Sequence, residues 1–330
     1  MAEIPPILIV MIVLSVIFDF LNGVHDSSNI VATMIASRAF SPRVALGITA
    51  VAHFVAPFIF GVAVATTIGH EVVAAEAITI NVLIAALASA IIWNILTWML
   101  GIPSSSSHAL IGGMIGAVTI GAGASAIELH GMEKILIALF ISPIIGLLLG
   151  YLFTRTVFFL ARNATPKING FFRHSQIVSA IALSLSHGTN DAQKTMGIIT
   201  LGLVIAGVIP SFEVPLWVIA ISAGAIAMGT ALGGWKLIKT LGSKFYKIRP
   251  VHGFSAQLTS AFDIIGASIV GGPVSTTQVV SSAIMGVGSA DRIKMVRWGV
   301  AKEIMVAWLV TIPATAVIAA SLFLFFDRVL

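Results

Sequence analysis

The sequence is built from long apolar stretches separated by short polar connections. Most of the stretches hold about 20 apolar residues, the length that an α-helix needs to cross a bilayer. Strands of a membrane barrel are shorter and alternate apolar with polar residues, so these stretches predict α-helices. They form two series: 5–40, interrupted near 22–29, then 44–69, 79–100, 103–123 and 135–160, followed by 176–207, interrupted near 187–194, then 215–242, 253–271, 273–288 and 302–326.

The composition excludes a soluble enzyme. Of the 330 residues, 58% are hydrophobic and 9% are charged, whereas soluble domains carry about 25% charged residues. Cysteine is absent, so disulfides, thiolate metal ligands and cysteine nucleophiles are excluded. The chain starts Met1-Ala2-Glu3 without a basic region, which predicts a mature first helix rather than a signal peptide. We therefore predict an all-α polytopic membrane protein.

The basic residues predict the orientation of the chain. Cytoplasmic loops collect Lys and Arg, and most of the 18 basic residues lie in the connections around 38–43, 155–173, 236–249 and 292–302. The alternate connections carry Glu71, Glu76, Glu128, Glu133 and Glu213. We expect a multi-pass protein of the cell (plasma) membrane, with a cytoplasmic central loop 161–175 and both termini extracytoplasmic. Five crossings in each half would give the halves opposite orientations.

Two motifs occur twice. Gly23 and Asp26 recur 165 residues later as Gly188 and Asp191, within the two interrupted stretches. The run Pro-Ser-Ser-Ser-Ser-His at 103–108 is matched by Pro-Val-Ser-Thr-Thr-Gln at 273–278. Repetition in the same order, with opposite orientations, predicts two inverted-topology repeats with broken helices and re-entrant-type hairpins at the midplane. The predicted division is an N-terminal repeat 1–160, a cytoplasmic linker 161–175 and a C-terminal repeat 176–330.

The interrupted stretches predict cation sites. Gly, Asn and Asp within an apolar helix favour local unwinding, which frees carbonyl groups for a cation while the carboxylate balances its charge. Each intramembrane carboxylate costs about 2.5–3.5 kcal/mol on an insertion scale, so several of them indicate a function. Asp26 and Asp191 are candidate Na⁺ ligands, and His25 is a candidate proton carrier or a hydrogen-bonded helix breaker. The cation-coupling candidates are Asp19, Asn22, His25, Asp26, Asn29, Asn190 and Asp191.

The Pro-Ser motifs predict anion sites. Proline followed by hydroxyl residues is typical of a helix start, where free N–H groups and the helix dipole bind oxyanions. One such start from each half would hold a tetrahedral anion from opposite sides. The anion-binding candidates are Ser105, Ser106, Ser107, Ser275, Thr276 and Thr277, with Asp26 and Asp191 beside them. Secondary candidates from the residues alone are Ser104, His108, Lys194 and Asp263. Lys194 would either neutralise Asp191 or contact the anion. Asp263 is either functional or a structural partner of a neighbouring helix.

With these motifs, the whole chain resembles the inorganic phosphate transporter (PiT) family, in its short bacterial or archaeal form. The Gly-x-Asn-Asp type turn of the family matches 23–26 and 188–191, and its Pro-x-Ser-[Ser/Thr]-[Ser/Thr] hairpin matches 103–107 and 273–277. The resemblance implies cation-coupled phosphate uptake, with phosphate at the hairpin hydroxyls and cations at the turns of both halves. It also implies a homodimer. His53 and Gln257 replace glutamates of animal members, and Gln278 stands where His often follows the second hairpin.

Alternatives follow from the same residues. Phosphate keeps a proton at neutral pH and sulfate does not, so a carboxylate beside the anion favours phosphate. The alternatives to a symporter are a sulfate or other oxyanion permease or channel of the same fold, or an intramembrane hydrolase using Ser107 and His108. Adjacent residues on one helix point about 100° apart, which disfavours that dyad. We expect no enzyme, no cofactor beyond a coupling H⁺ or Na⁺, no nucleic acid, and phosphate, the cation and the lipid bilayer as partners.

Overall fold

Helices form all the regular secondary structure of the described residues, 5–70, 78–244 and 247–329 of the computed structural model. Two expectations concern residues outside these ranges. The prediction of a mature first helix uses the first four residues, and the charge pattern includes Glu71 and Glu76. The helices are α1 (Pro6–Ala36), α2 (Pro42–Phe60), α3 (Ala63–His70), α4 (Ile80–Leu100), α5 (Ser106–Gly121), α6 (Leu129–Leu160), α7 (Ile168–Ile205), α8 (Leu216–Leu232), α9 (Trp235–Lys239), α10 (Pro250–Ile269), α11 (Thr276–Arg292) and α12 (Trp298–Val329).

Helix ends are set by local chemistry. α1, α2 and α10 each begin with a proline, whose fixed φ suits the first helical turn and whose missing N–H costs nothing there. The Thr79 side chain accepts a hydrogen bond from the Val82 N–H and caps α4. Gly101 ends α4 in the left-handed conformation at φ 69°, which glycine adopts without a Cβ penalty.

The membrane prediction is confirmed. Five described helical segments are long and apolar enough to span a bilayer: Pro6–Ala36, Pro42–Phe60, Ile80–Leu100, Ile135–Leu160 and Trp298–Phe326. A sixth candidate is the pair Leu216–Leu232 and Trp235–Gly242, which is bent by 61°. α5 and α11 have 16 and 17 residues, fewer than the roughly 20 of a full crossing. Residues 168–175, expected within the central linker, form the first two turns of α7.

The predicted interruptions at 22–29 and 187–194 are wrong, because α1 and α7 are continuous through both motifs. Their glycines serve close packing instead of unwinding. A Cβ on Gly23 would lie 2.2 Å from the Ile226 carbonyl oxygen of α8, and one on Gly188 would lie 2.8 Å from the His53 Cα of α2. The Ser27 hydroxyl bonds back to the Val24 carbonyl oxygen within α1 at 2.8 Å. The polar residues are therefore accommodated without breaking the helix.

Packing interlocks the two halves of the chain. α5 packs along α12, as α11 does along α6, so the last helix of each half covers the short helix of the other. α1 also packs on α8, as α7 does on α2, across the two halves, whereas the α1–α4 and α7–α10 contacts lie within one half each. The part of α1 before residue 19 belongs to one buried apolar cluster, and residues 30–34 belong to a second. The polar segment 19–29 therefore lies between the two apolar clusters.

Candidate functional site

α1 and α7 each carry a buried polar stripe. On α1 the stripe consists of Asp19, Asn22, Asp26, Asn29 and Thr33, all at most 1% exposed. Spacings of three and four residues place side chains on one face of a helix. On α7 the stripe is Ser184, His187, Asp191 and Lys194, which are also at most 1% exposed.

Asp26 is surrounded by hydroxyl groups and one imidazole. His25 Nδ1 lies 3.1 Å from Asp26 Oδ1, and the Thr277 hydroxyl donates to the same oxygen at 2.9 Å. The hydroxyls of Ser106 and Thr276 lie 3.5 Å from Asp26 Oδ2. Asp26 therefore receives side chains from α1, α5 and α11, and joins both halves of the chain.

Asp191 has a similar environment with one added charge. The Thr276 hydroxyl lies 3.1 Å from Asp191 Oδ2, so a single hydroxyl faces the carboxylates of both halves. His187 Nδ1 lies 3.0 Å from Asp191 Oδ2, and the Lys194 ammonium pairs with Oδ1. Ligand atoms of Asp26, His187 and Asp191 lie within 4.8 Å of one another. Such a group of buried ligands has the geometry to hold a cation.

The starts of α5 and α11 meet at this centre. The Ser105 side chain accepts from the His108 N–H at 3.1 Å, and the Ser275 side chain accepts from the Gln278 N–H at 3.3 Å, so both serines act as N-caps. The Ser107 hydroxyl donates to the Val274 carbonyl oxygen at 3.0 Å and links the two hairpins. Of the six hydroxyl candidates, those facing the carboxylates are Ser106, Thr276 and Thr277.

Several buried amide oxygens near the aspartates lack a hydrogen-bond donor. The Asn29 amide nitrogen donates to the Thr277 hydroxyl at 3.0 Å, and that of Asn190 donates to the Ser268 hydroxyl at 2.9 Å. Within the described residues, the Oδ1 atoms of Asn29 and Asn190 and both polar atoms of Asn22 have no partner. Carboxylate and amide oxygens are the ligands that hard cations prefer.

Three further candidates lie next to the centre. Ser104 lies 3.5 Å from His25 Nε2 and 2.8 Å from the Thr97 hydroxyl. His108 bonds Ser105 through Nδ1 at 2.7 Å, and its Nε2 lies 3.5 Å from Gln278 Nε2. These side chains therefore support the hairpin starts.

The remaining candidates occupy separate places. Asp19 is buried near the Asp191–Lys194 pair. Asp263 lies apart from the centre, with its carboxylate close to Gly146 of α6. His53 bonds the Thr230 hydroxyl at 2.8 Å and stacks on His187.

Gln257 lies in a hydrogen-bonded layer beyond Asn29. Its amide nitrogen donates to the Thr33 hydroxyl at 2.9 Å, and its oxygen accepts from Ser179 at 2.7 Å. The Gln176 amide oxygen accepts from the Ser37 hydroxyl at 3.0 Å and lies 3.4 Å from Gln257 Nε2. Sequence reasoning missed Thr33, Gln176 and His187, although polar residues at helical spacing from the motifs were a usable signal.

A basic cavity of about 1050 Å³ lies on the far side of this layer, with Ser37 in its lining. Three of the four basic connections contribute to it, which places them on one face of the protein. Its cationic residues are Arg38, Lys239, Lys247, Arg249, Lys294 and Arg297. The carboxylates themselves are fully buried and do not line this cavity.

Known proteins are similar to this chain in sequence and in fold. The phosphate transporter family model matches residues 22–319. A "probable low-affinity inorganic phosphate transporter" of Rhizobium meliloti is 45% identical over 317 residues, covering 96% of this chain and 95% of the relative. One of Bacillus subtilis is 44% identical over 318 residues, covering 94% and 95%. A solved structure described as "The sodium-dependent phosphate transporter" has a TM-score of 0.89 and 24% identity, covering 99% of this chain and all of the other.

The matching family and these relatives are phosphate transporters, so the hydrolase alternative does not apply. Two findings point to the same family. The described part of the chain has helices of membrane length that carry the buried duplicated motifs, and the family model matches most of the chain. The chain therefore belongs to the phosphate transporter family and is a multi-pass membrane protein.

Proposed function

We propose that the chain is a secondary active transporter that carries inorganic phosphate together with H⁺ or Na⁺ by alternating access. One observation carries the proposal. Hydroxyls from the starts of α5 and α11 meet the carboxylates of Asp26 and Asp191, so elements of both halves converge on one buried centre.

The two helix starts supply the anion site. Each presents free backbone N–H groups and the positive end of a helix dipole, which bind oxyanions. Ser106, Thr276 and Thr277 add hydroxyl donors on the side of the carboxylates. When phosphate binds, these hydroxyls turn from the carboxylates towards its oxygens, so anion binding and the charge state of the centre become linked.

The carboxylates select phosphate over sulfate. Protonated phosphate donates a hydrogen bond to a carboxylate, whereas sulfate has no proton and is repelled. Because Asp26 and Asp191 are completely buried, the repulsion is weakly screened by water. The same aspartates need a cation when a second anion enters, which couples phosphate binding to cation binding.

Two cations are candidates. A solved transporter of the same fold is described as sodium-dependent, and the amide oxygens of Asn22 and Asn29, which have no partner within the described residues, suit Na⁺. His25, which lies 3.1 Å from Asp26, suits H⁺ because an imidazole ring can both accept and donate a proton. No other cofactor is part of the proposal.

Alternating access is supported by the enclosed centre and the interlocked halves. The centre is closed towards the basic cavity by the hydrogen-bonded layer of Thr33, Gln176 and Gln257. We place the cavity on the cytoplasmic side, because basic residues collect there, and both termini on the other side. The two halves would then be inverted repeats, and the proposed homodimer can be tested by cross-linking in the membrane.

Phosphate uptake by proteoliposomes tests the proposal. We expect Asp26→Asn and Asp191→Asn to abolish uptake, because each removes a carboxylate of the centre. Asp263→Asn is the matched control, since Asp263 is also buried but lies apart, and it should transport normally. Undiminished uptake by both centre variants would refute the site.

Two further comparisons test coupling and selectivity. Imposing a sodium gradient while the proton gradient is dissipated, and then the reverse, identifies the coupling cation. Uptake that depends on neither gradient would indicate a channel. Equal competition by sulfate and by phosphate would indicate a general oxyanion permease.

A further inference from the structure

The two polar stripes can be compared position by position at an offset of 165 residues. Asp26 corresponds to Asp191 in this comparison, and the residue one turn later is Asn29 on α1 but Lys194 on α7. Asn22 and His25 correspond to His187 and Asn190, so each half places one His and one Asn at these two positions. The halves thus carry the same two residue types at these positions. They differ in charge at the position one turn after the aspartate, and also where Asp19 of α1 corresponds to Ser184 of α7.

Lys194 is a cation built into the C-terminal half. Its side chain is 1% exposed, and its ammonium pairs with Asp191 Oδ1. The same nitrogen lies 3.3 Å from the Val274 carbonyl oxygen, just before α11. A carboxylate and a backbone carbonyl are the oxygen types that coordinate alkali and alkaline-earth ions. The ammonium therefore occupies a position suited to a bound metal ion.

The corresponding position in the N-terminal half has no such group. Asn29 Nδ2 donates to the Thr277 hydroxyl at 3.0 Å, and Asn29 Oδ1 has no partner within the described residues although it is fully buried. Asp26 is met by His25 and by hydroxyls, while its counterpart Asp191 is paired with an ammonium. A buried unpartnered oxygen beside a carboxylate is costly unless a ligand satisfies it.

We propose that Lys194 is a fixed substitute for a coupling cation, so that only the Asp26–Asn29 half takes up a cation from solution. The inference rests on the proposed cation-coupled transport. Because the ammonium is tethered to α7, the charge of Asp191 is balanced throughout the cycle and that half contributes no ion to the stoichiometry. Lys194 thereby sets how many cations accompany each phosphate.

The test restores the residue of the other half. In Lys194→Asn, an amide oxygen replaces the ammonium and Asp191 loses its partner, so we expect an added Na⁺ site. Phosphate uptake at varied NaCl, with choline chloride holding the ionic strength constant, should show an order in Na⁺ higher by about one than that of the wild type. If the wild type is driven by protons, the variant should become sodium-stimulated. Lys194→Arg keeps the cation and should gain no sodium dependence.

A second measurement applies even if the variant does not transport. NaCl should raise the Tm of purified Lys194→Asn more than that of the wild type, because an ion that binds only the folded state stabilises it. Lys194→Gln, which also offers an amide oxygen, repeats the measurement if Lys194→Asn does not fold. An unchanged sodium order together with an unchanged sodium shift of Tm would overturn the inference. A wild-type protein that moves no phosphate would instead refute the proposed function.

Discussion

His53 of α2 and His187 of α7 stack face to face, with ring centroids 5.0 Å apart and planes 16° from parallel. His187 Nδ1 in turn lies 3.0 Å from Asp191 Oδ2. His53 is itself held through its Nδ1 contact of 2.8 Å with the Thr230 hydroxyl of α8. His53 therefore positions an imidazole that touches one of the two central carboxylates.

Removing this stack should impair transport without unfolding the protein. We expect His53→Ala to lower phosphate uptake by about tenfold, as loss of a supporting residue around an ion site does. His53→Phe keeps an aromatic ring against His187 and should recover part of the activity. His174→Ala, at an exposed position of α7, is the control and should transport like the wild type. Equal activity of His53→Ala and His174→Ala would contradict this role.

The α1–α8 contact should tolerate no side chain at Gly229. A Cβ there would lie 2.0 Å from the Phe20 carbonyl oxygen, whereas a Cβ on Gly224 of the same helix meets no atom of the described residues within 4 Å. Gly229→Ala should therefore separate the two helices and lower both Tm and yield. Gly224→Ala should be neutral or stabilise by up to about 1 kcal/mol, because alanine favours helix. Equal melting temperatures for the two variants in detergent would show that the contact is not this tight.

Thr277 should be required for its hydroxyl group. The Asn29 amide donates to Thr277, whose own hydrogen is donated to Asp26. Thr277→Val removes the acceptor of the Asn29 amide and one of the donors to Asp26, and a buried group left unpaired costs about 1–3 kcal/mol. We expect a lower Tm and strongly reduced uptake, whereas Thr277→Ser should restore both. Uptake by the valine variant equal to that of the serine variant would count against this network.

Cysteine labelling should reveal which face is cytoplasmic. The natural chain contains no cysteine, so single substitutions need no cysteine-free background. Arg38, in the lining of the basic cavity, and Ser125, between α5 and α6, are both exposed. A membrane-impermeant maleimide should label Arg38→Cys only in inverted vesicles and Ser125→Cys only in right-side-out vesicles. The reverse pattern would invert the proposed orientation.

The layer at Thr33 should open and close during transport. Thr33 is 1% exposed and accepts a hydrogen bond from Gln257 Nε2 at 2.9 Å. In inverted vesicles, maleimide should therefore label Thr33→Cys slowly, at a rate that changes when phosphate and the coupling cation are added. Arg38→Cys should label quickly under both conditions. If Thr33→Cys reacts as fast as Arg38→Cys whatever is added, this layer is not a gate.

The sequence alone determined the class of the protein and pointed to Asp26 and Asp191 as the centre of the candidate site. A bilayer requires every backbone polar group to be paired within a helix or barrel and makes each charge costly. Membrane helices and buried aspartates are therefore visible in local sequence. Asp26 and Asp191 were found in this way, and the hydroxyl motifs were found by their repetition. The phosphate transporter family followed from those same motifs.

Only the tertiary structure decided how the motif residues are used. Gly23 and Gly188 suggested interruptions because glycine weakens a helix, but packing against α8 and α2 keeps both helices continuous. Of six similar hydroxyl residues, only the tertiary structure shows that Ser106, Thr276 and Thr277 face the carboxylates. The contacts that place these hydroxyls join residues 80 to 251 positions apart in the sequence. Local sequence patterns report helix propensity and burial, whereas such contacts are fixed by the packing of helices from both halves.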